Sequence, residues 1–221
     1  MHPALKLVKT NFEGYFAAMH PTDAEFVFLG EHPALDFANT YYAPRGELED
    51  QLRSWPDLLE WLRQADLGAG PALEVSKAEA PAALATVVAL RTAWARQVEA
   101  ILASKPVARD FLRILNAALE KDHFSEAVAA AAEGEGTPCE LTRSASKLRG
   151  LDLAMAILCR QIANFLTECN LAYLRQCAGH GCVLFFYDTT KNHRRQWCSA
   201  AACGNRAKVA AFRERQAQQK K

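Results

Sequence analysis

Four of the seven cysteines lie close together near the end of this 221-residue chain, in two pairs of identical spacing. Four residues separate Cys177 from Cys182, four separate Cys198 from Cys203, and fifteen separate the two pairs. A tetrahedral zinc ion needs four ligands at about 2.3 Å, and short cysteine loops on a short connector supply them with little loss of chain entropy. Because four thiolates leave no open coordination position, we predict a closed, structural zinc site at these residues.

Two disulfide bonds would also explain the paired cysteines. No secretory leader precedes them in the sequence, which favours a reducing, cytoplasmic location and free thiols. His180 and His193 lie near enough to replace a cysteine as a ligand. With four thiols available, each histidine is instead expected to be an exposed loop residue or a phosphate contact.

The segments around the cysteines predict the elements that hold them. Val183–Tyr187 is β-branched and aromatic, and Asp188–His193 is rich in turn formers, so the connector between the cysteine pairs is expected to form a hairpin. A basic helix is expected over Arg206–Gln218. Val209 and Phe212 are three residues apart, and on this helix they would dock it onto the zinc site.

Charge is strongly polarised along a chain whose formal net charge is only +1. Residues 172–221 hold ten Lys or Arg against two acids, whereas the preceding 171 residues hold sixteen against twenty-three. Two segments fixed to one zinc ion would present one positive face, although a solvated tail would have the same composition. We predict that the face binds nucleic acid through Lys191, Arg194, Arg195, Arg206, Lys208, Arg213 and Arg215.

The rest of the chain is predicted to be mainly helical. Ser54 is a predicted helix cap, and helices are expected over 80–104, 107–119 and 151–174, with a short strand at 26–29. The predicted fold class is therefore α+β, with a predominantly helical N-terminal domain (26–170) containing a few short strands. An N-terminal extension (1–25) precedes it, and a small four-cysteine zinc finger (171–221), a hairpin followed by the basic helix, comes after it. No apolar run reaches the eighteen or so residues of a membrane span, so a membrane partner is not expected.

One polar group in the N-terminal domain has the spacing of a helix face. His32, Asp36 and Asn39 recur at i, i+4 and i+7 and could line a ligand pocket. Short polar side chains also cap backbone amides at the ends of elements, which would be a purely structural role. Phosphate-cradling glycine loops, HExxH and GxSxG are absent from the sequence, so an enzyme is not expected.

The sequence resembles a known family at both ends. The tetrapeptide CGNR at 203–206, the preceding RQWCS at 195–199 and the upstream cysteine pair are similar to the CGNR zinc finger. FLG at 28–30 and LDFANT at 35–40 resemble the ABATE domain, a domain assigned to stress-induced transcription regulators. The resemblance covers about residues 26–215, and in that family the zinc finger follows the ABATE domain.

The resemblance and the charge together predict a DNA-binding transcription regulator with a structural zinc ion. Its N-terminal domain would act as a sensor of a small-molecule effector or as a homodimerisation unit. The alternative is a zinc-dependent module that binds protein or RNA through the same positive face. A more distant alternative is an enzyme that uses His32, Asp36 and Asn39.

Overall fold

The computed structural model describes residues 26–42, 48–68, 70–122, 126–130, 139–143 and 146–219, so the predicted extension at 1–25 lies outside the described residues. The helices are α1 (Pro33–Ala38), α2 (Trp55–Gln64), α3 (Ala80–Leu102), α4 (Arg109–Lys121), α5 (Gly150–Glu168) and α6 (Asn205–Gln219). The strands are β1 (Tyr41–Tyr42), β2 (Glu49–Asp50), β3 (Glu126–Ala130), β4 (Cys139–Arg143), β5 (Leu174–Gln176) and β6 (Phe185–Tyr187). The strands pair antiparallel as β1-β2, β3-β4 and β5-β6. The predicted fold class, mainly helical with a few short strands, is confirmed.

Local capping explains where several helices begin and end. The Ser54 hydroxyl accepts a hydrogen bond from the Asp57 N–H at 3.3 Å, and α2 begins at Trp55 as predicted. Helix α5 ends at Glu168, six residues before its predicted end. There the Asn170 side chain accepts from the Ala172 N–H, which starts a short 3₁₀ turn and directs the chain into β5. The helical periodicity of the sequence does not distinguish this turn from a further helical turn.

Helix α1 lies at the centre of the molecule, where it contacts α3, α5 and β6. Five of its six residues are buried, and the Trp94 indole N–H donates to the Ala34 carbonyl at 2.7 Å. A helix of six residues is too short to be stable alone, so these contacts with the rest of the protein hold it in place. The core therefore fixes the positions of the residues at both ends of α1.

The hydrophobic core crosses the predicted boundary between the two domains. Leu174 of β5 and Phe185 of β6 are buried in the same cluster as the tryptophans and leucines of α2, α3 and α5. A second, smaller cluster surrounds the cysteines and includes Val27 and Leu29 from the first described segment. The backbone joins the same parts, since the Tyr187 N–H donates to the Gly30 carbonyl at 2.9 Å. The C-terminal module thus packs as an integral part of the fold.

None of the described helices combines the length and the apolar character needed to cross a bilayer.

Candidate metal centre and basic surface

The four predicted zinc ligands come together in one cluster. Their sulfur atoms all lie within 4.8 Å of one another, and three of the four residues are buried: Cys177, Cys198 and Cys203. A tetrahedron with zinc–sulfur bonds of about 2.3 Å has edges of about 3.8 Å. The Sγ of Cys198 lies 3.8 Å from that of Cys182 and 3.7 Å from that of Cys203, so the spacing is that of a tetrahedral zinc site.

The protonation of the thiols also fits a bound dication. A hydrogen bond from Cys198 lowers the pKa of Cys182 to about 5, whereas this bond and burial raise the pKa of Cys198. Burial raises the pKa of Cys177 as well. The raised pKa values of Cys177 and Cys198 therefore oppose their ionisation while no cation is bound. Zinc would replace the shared protons and hold all four as thiolates.

Backbone groups support the sulfur atoms from outside the cluster. The Cys177 Sγ accepts from the Cys198 N–H at 3.2 Å and from the Gly179 N–H at 3.4 Å. A Cβ atom at Gly179 would lie 3.0 Å from the Cys203 sulfur and 3.4 Å from the Cys177 sulfur, so a side chain here would crowd two ligands. N–H donors and a close glycine backbone are suited to a cluster of thiolates, and the site is a structural zinc centre.

The strands hold the first cysteine pair differently from the sequence-based prediction. Strand β6 (Phe185–Tyr187) lies in the predicted segment, but its partner is β5 (Leu174–Gln176), upstream of Cys177. The loop of this hairpin is therefore the first cysteine loop, and the predicted hairpin within the connector is wrong. Buried Asp188 instead folds the connector by accepting hydrogen bonds from the backbone N–H groups of Thr190 and Arg195.

Arg195, predicted to contact nucleic acid, has a structural role in this fold. Its guanidinium donates to the carbonyl oxygens of Trp197, at 2.9 Å, and Cys198, and lies 4.6 Å from the centre of the Phe186 ring. It also pairs with Glu31 of the N-terminal domain at 2.7 Å, and its side chain is only 19% exposed. Arg195 thus binds the second cysteine segment to the rest of the protein, and no isolated sequence feature separates it from its neighbour Arg194.

We expect Arg195→Ala to lower the free energy of unfolding by about 2 kcal/mol, because it removes charge-assisted hydrogen bonds to carbonyls next to a zinc ligand. Arg194 is exposed, so the matched Arg194→Ala change is expected to stay within about 0.5 kcal/mol. Urea denaturation of the zinc-loaded variants measures both values. Equal stabilities would contradict the structural role of Arg195.

Arg206 also contacts the metal centre. One of its guanidinium nitrogens lies 3.0 Å from the Cys203 sulfur, which fixes the first turn of α6 against the zinc site. The remaining five predicted contacts, which we call the basic surface, are exposed on the connector and on α6: Lys191, Arg194, Lys208, Arg213 and Arg215. Within the described part of the chain, no ion pair with a carboxylate involves any of these five.

The predicted docking of α6 is wrong. The helix runs from Asn205 to Gln219, close to its predicted range, but none of its residues is buried. Val209 is 48% and Phe212 56% exposed, so neither fixes the helix to the zinc module. The helix packs mainly against the π-helical turn Ala200–Gly204 that leads into it.

Neither nearby histidine belongs to the sulfur cluster. His180 is exposed in the first cysteine loop. His193 stacks on Tyr173 with ring centres 3.5 Å apart, and its Nδ1 lies 2.9 Å from the Asp188 carbonyl oxygen. This stack covers the end of the hairpin, so His193 shapes the connector that carries Lys191 and Arg194.

Each residue of the predicted ligand pocket has a structural partner. His32 caps α1 by accepting from the Ala34 N–H at 3.1 Å, and Asp36 accepts from the Gly30 N–H at 2.7 Å. Asn39 donates to the Phe185 carbonyl at 2.8 Å and accepts from the Phe185 N–H at 2.9 Å. Two concave surfaces of 540 and 600 Å³ lie elsewhere, beside α3 and α5 and beside Phe212. A ligand pocket at these three residues stays a prediction, whereas the alternative capping role matches their contacts.

Burial gives two of these residues opposite pH dependences. It raises the pKa of Asp36 to about 7 and lowers the pKa of His32 to about 4. Between pH 4 and pH 7 the folded state binds the Asp36 proton more tightly than the unfolded state does. The contribution of Asp36 to the free energy of unfolding therefore falls as pH rises through this range. His32 does the opposite, since the unfolded state binds its proton more tightly, and stability rises between pH 4 and 6.5.

We expect Asp36→Asn, which imitates the neutral carboxyl, to reveal the contribution of Asp36. Relative to the unmodified protein, the variant should gain up to about 1.4 kcal/mol of stability per pH unit between pH 4 and 7. Urea unfolding at several pH values measures this difference, and the loss of zinc in acid is common to both proteins. Exposed Asp66→Asn is the control and should leave the pH profile unchanged. Parallel profiles for Asp36→Asn and the unmodified protein would contradict the raised pKa.

Comparison with known families gives the class of protein that has this fold and site. One family model, ABATE, described as "Putative stress-induced transcription regulator", matches residues 31–168, and a second, the CGNR zinc finger, matches residues 173–216. The class is thus a helical, regulator-type domain followed by a four-cysteine zinc finger. The chain belongs to the ABATE family and carries a CGNR zinc finger, which confirms the resemblance stated from its motifs. No curated protein matches the chain at a significant level.

Proposed function

We propose that this protein is a DNA-binding transcription regulator without catalytic activity, whose zinc module holds the basic surface against the phosphate backbone. The observation that carries the proposal is the exposure of five cations without carboxylate partners among the described residues. Their charges are available to phosphates, because no ion pair within the described chain has to break first. Release of condensed counterions would supply the affinity.

The zinc centre contributes by fixing the two parts of the basic surface to each other. Lys191 and Arg194 lie on the connector between the cysteine pairs, and Lys208 lies on α6 after the last cysteine. Hydrogen bonds at Asp188 and at Arg206 hold these segments beside the sulfur cluster. A duplex would therefore meet a preformed surface, which lowers the entropic cost of binding.

The N-terminal domain, by this proposal, is the regulatory part. Residues 1–171 carry an excess of seven acidic groups, so they would not compete with the basic surface for DNA. We propose that this domain senses an effector or joins two chains. Because its core continues into β5 and β6, a change in the domain would reach the zinc module through packed contacts.

The test is the fluorescence anisotropy of the zinc-loaded full chain on a labelled random duplex of about 30 base pairs, across a salt series. If the five cations neutralise about five phosphates, log K should fall against log[salt] with a slope near −4.5. Replacing all five by Ala should remove most of the affinity while zinc stays bound. A chelator-treated sample should also lose binding.

The matched control is the replacement of Lys77 and Lys105 by Ala. Both are exposed cations of the N-terminal domain, and their loss should leave the slope unchanged. Unchanged affinity of the variant lacking the five cations would contradict the proposal. Tighter binding to single-stranded RNA of equal length would favour the RNA-binding alternative.

A further inference from the structure

Helix α6 has the features of an element that packs against a partner. It is fifteen residues long, about 22 Å, none of its residues is buried, and two large apolar side chains, Val209 and Phe212, are about half exposed. Most helices of folded proteins owe their stability to packing of one face, which α6 lacks. A partner that covered the two apolar side chains would therefore stabilise the helix.

The cations of α6 form two rows along the helix. At 100° per residue, Arg206 and Arg213 lie within about 20° of each other, and so do Lys208 and Arg215. The two rows are about 160° apart, on nearly opposite sides of the helix. A single flat acidic surface could contact only one of the rows at a time. Two negatively charged surfaces, one on each side of the helix, would contact both rows of cations.

The face between the two rows has a different character. Asn205, Val209, Phe212 and Gln216 fall within an arc of about 60°, centred midway between the rows, and all four are exposed. We call these four residues the reading face. The one acid of the helix, Glu214, lies about 170° from its centre, on the opposite side. The face thus combines two amides with two apolar side chains and has no charge of its own.

The major groove of duplex DNA has the dimensions and the charge that this pattern requires. The groove is about 12 Å wide and bordered by a phosphate backbone on each side, and a helix with its side chains is about 10–12 Å across. With the reading face toward the base edges, Arg213 meets one backbone, and Lys208 and Arg215 meet the other. The contact between Arg206 and the Cys203 sulfur fixes the rotation of the helix relative to the zinc centre.

We propose that α6 enters the major groove and that its reading face recognises A·T base pairs, an inference that rests on the proposed DNA-binding function. Asn and Gln form paired hydrogen bonds with the N6 and N7 positions of adenine, and apolar side chains contact the C5 methyl group of thymine. The reading face has both kinds of group. It has no arginine or lysine, the side chains that most often recognise guanine.

The experiment compares three duplexes of equal length in the same salt, using anisotropy of the zinc-loaded full chain. One has a central A·T segment, the second has uracil in place of its thymines, and the third has G·C pairs there. We expect about tenfold tighter binding to the A·T duplex than to the G·C duplex. Loss of the thymine methyl groups should remove a few-fold of that preference.

Variants of exposed residues connect the preference to the reading face. Phe212→Ala should weaken binding to the thymine duplex but not to the uracil duplex, since both changes remove the same contact. Gln216→Ala should reduce the preference for A·T pairs. Gln218→Ala is the matched control, because this glutamine lies on the side of Glu214, and the preference should stay. Zinc content and circular dichroism confirm that each variant is folded.

The outcomes separate this inference from the proposed function. Equal affinity for all three duplexes with a steep salt slope would overturn the reading face and leave DNA binding intact. No affinity for any duplex would overturn both. A Phe212→Ala change that leaves DNA binding unaltered but dissociates a dimer in sedimentation would assign the apolar residues to a second copy of the chain and overturn the inference.

Discussion

Removal of zinc is expected to unfold the C-terminal module and to loosen the N-terminal domain with it. The apolar cluster around the cysteines is small: Cys177, Leu184, Phe186, Cys198 and Cys203 are its buried members. Structural zinc binding is coupled to folding with an apparent free energy of about 10–16 kcal/mol in zinc-finger peptides, far more than such a cluster can replace. Val27 and Leu29 pack on this cluster, so the loss should also reach the first segment of the N-terminal domain.

Chelation followed by circular dichroism and by tryptophan fluorescence, to which Trp197 on the cysteine cluster contributes, measures this loss. We expect helical signal to fall, because α6 is fixed to the site through Arg206 and has no buried face of its own. Cys182→Ser should have the same effect even with excess zinc. Cys169→Ser is the matched control, since Cys169 lies outside the sulfur cluster. A chelated protein that keeps its full helical signal would contradict a structural role for zinc.

After zinc removal, the loss of the Asn39 side chain is expected to have the largest effect on the free energy of unfolding. Asn39 bonds both the N–H and the carbonyl of Phe185 across 146 positions of sequence, and the residue is 1% exposed. In Asn39→Ala both backbone groups remain buried without a partner, at a cost of about 1–3 kcal/mol for each. We therefore expect the free energy of unfolding to fall by about 3–5 kcal/mol.

Urea denaturation of the zinc-loaded variant measures the change, with Asn192→Ala as the control. Asn192 is an exposed amide on the connector, and its loss should stay within about 0.5 kcal/mol. The same transition should be seen by tryptophan fluorescence of the helical core and by zinc release, because the two parts share buried residues. Separate transitions would show that the two parts unfold independently and that Asn39 does not couple them.

The two predictions concern different links in the fold. Zinc acts within the C-terminal module, by joining the two cysteine segments through their four ligands. Asn39 acts between the module and α1, by satisfying the backbone of β6 from the centre of the N-terminal core. Arg195 and Glu31 add a third link at the surface. These contacts join the N-terminal domain to the zinc module through α1 and β6, and at the surface through Arg195.

The sequence by itself determined the features that depend on local spacing. Two short cysteine loops bring their thiols to one ion at little cost in entropy, so a zinc site at these cysteines could be predicted. In the structure the four sulfurs lie together, and the CGNR zinc finger model matches residues 173–216. The cap at Ser54 and the range of α6 follow from neighbours in sequence as well. The mainly helical class follows from periodicity, which a helix needs in order to bury one face.

Only the tertiary structure decided the roles that depend on distant partners. Arg194 and Arg195 are adjacent and chemically identical, yet Arg194 is exposed, whereas Arg195 bonds carbonyls beside a zinc ligand. The difference arises because Glu31 and Phe186 lie next to the Arg195 guanidinium. The partner of β6 was decided in the same way, since Leu174 had to enter the core of the helical domain. Phe212 looked like a docking residue, but the residue is 56% exposed. Spacing in the sequence limits the roles that a side chain can have. Contacts with residues distant in the sequence determine which of these roles it takes.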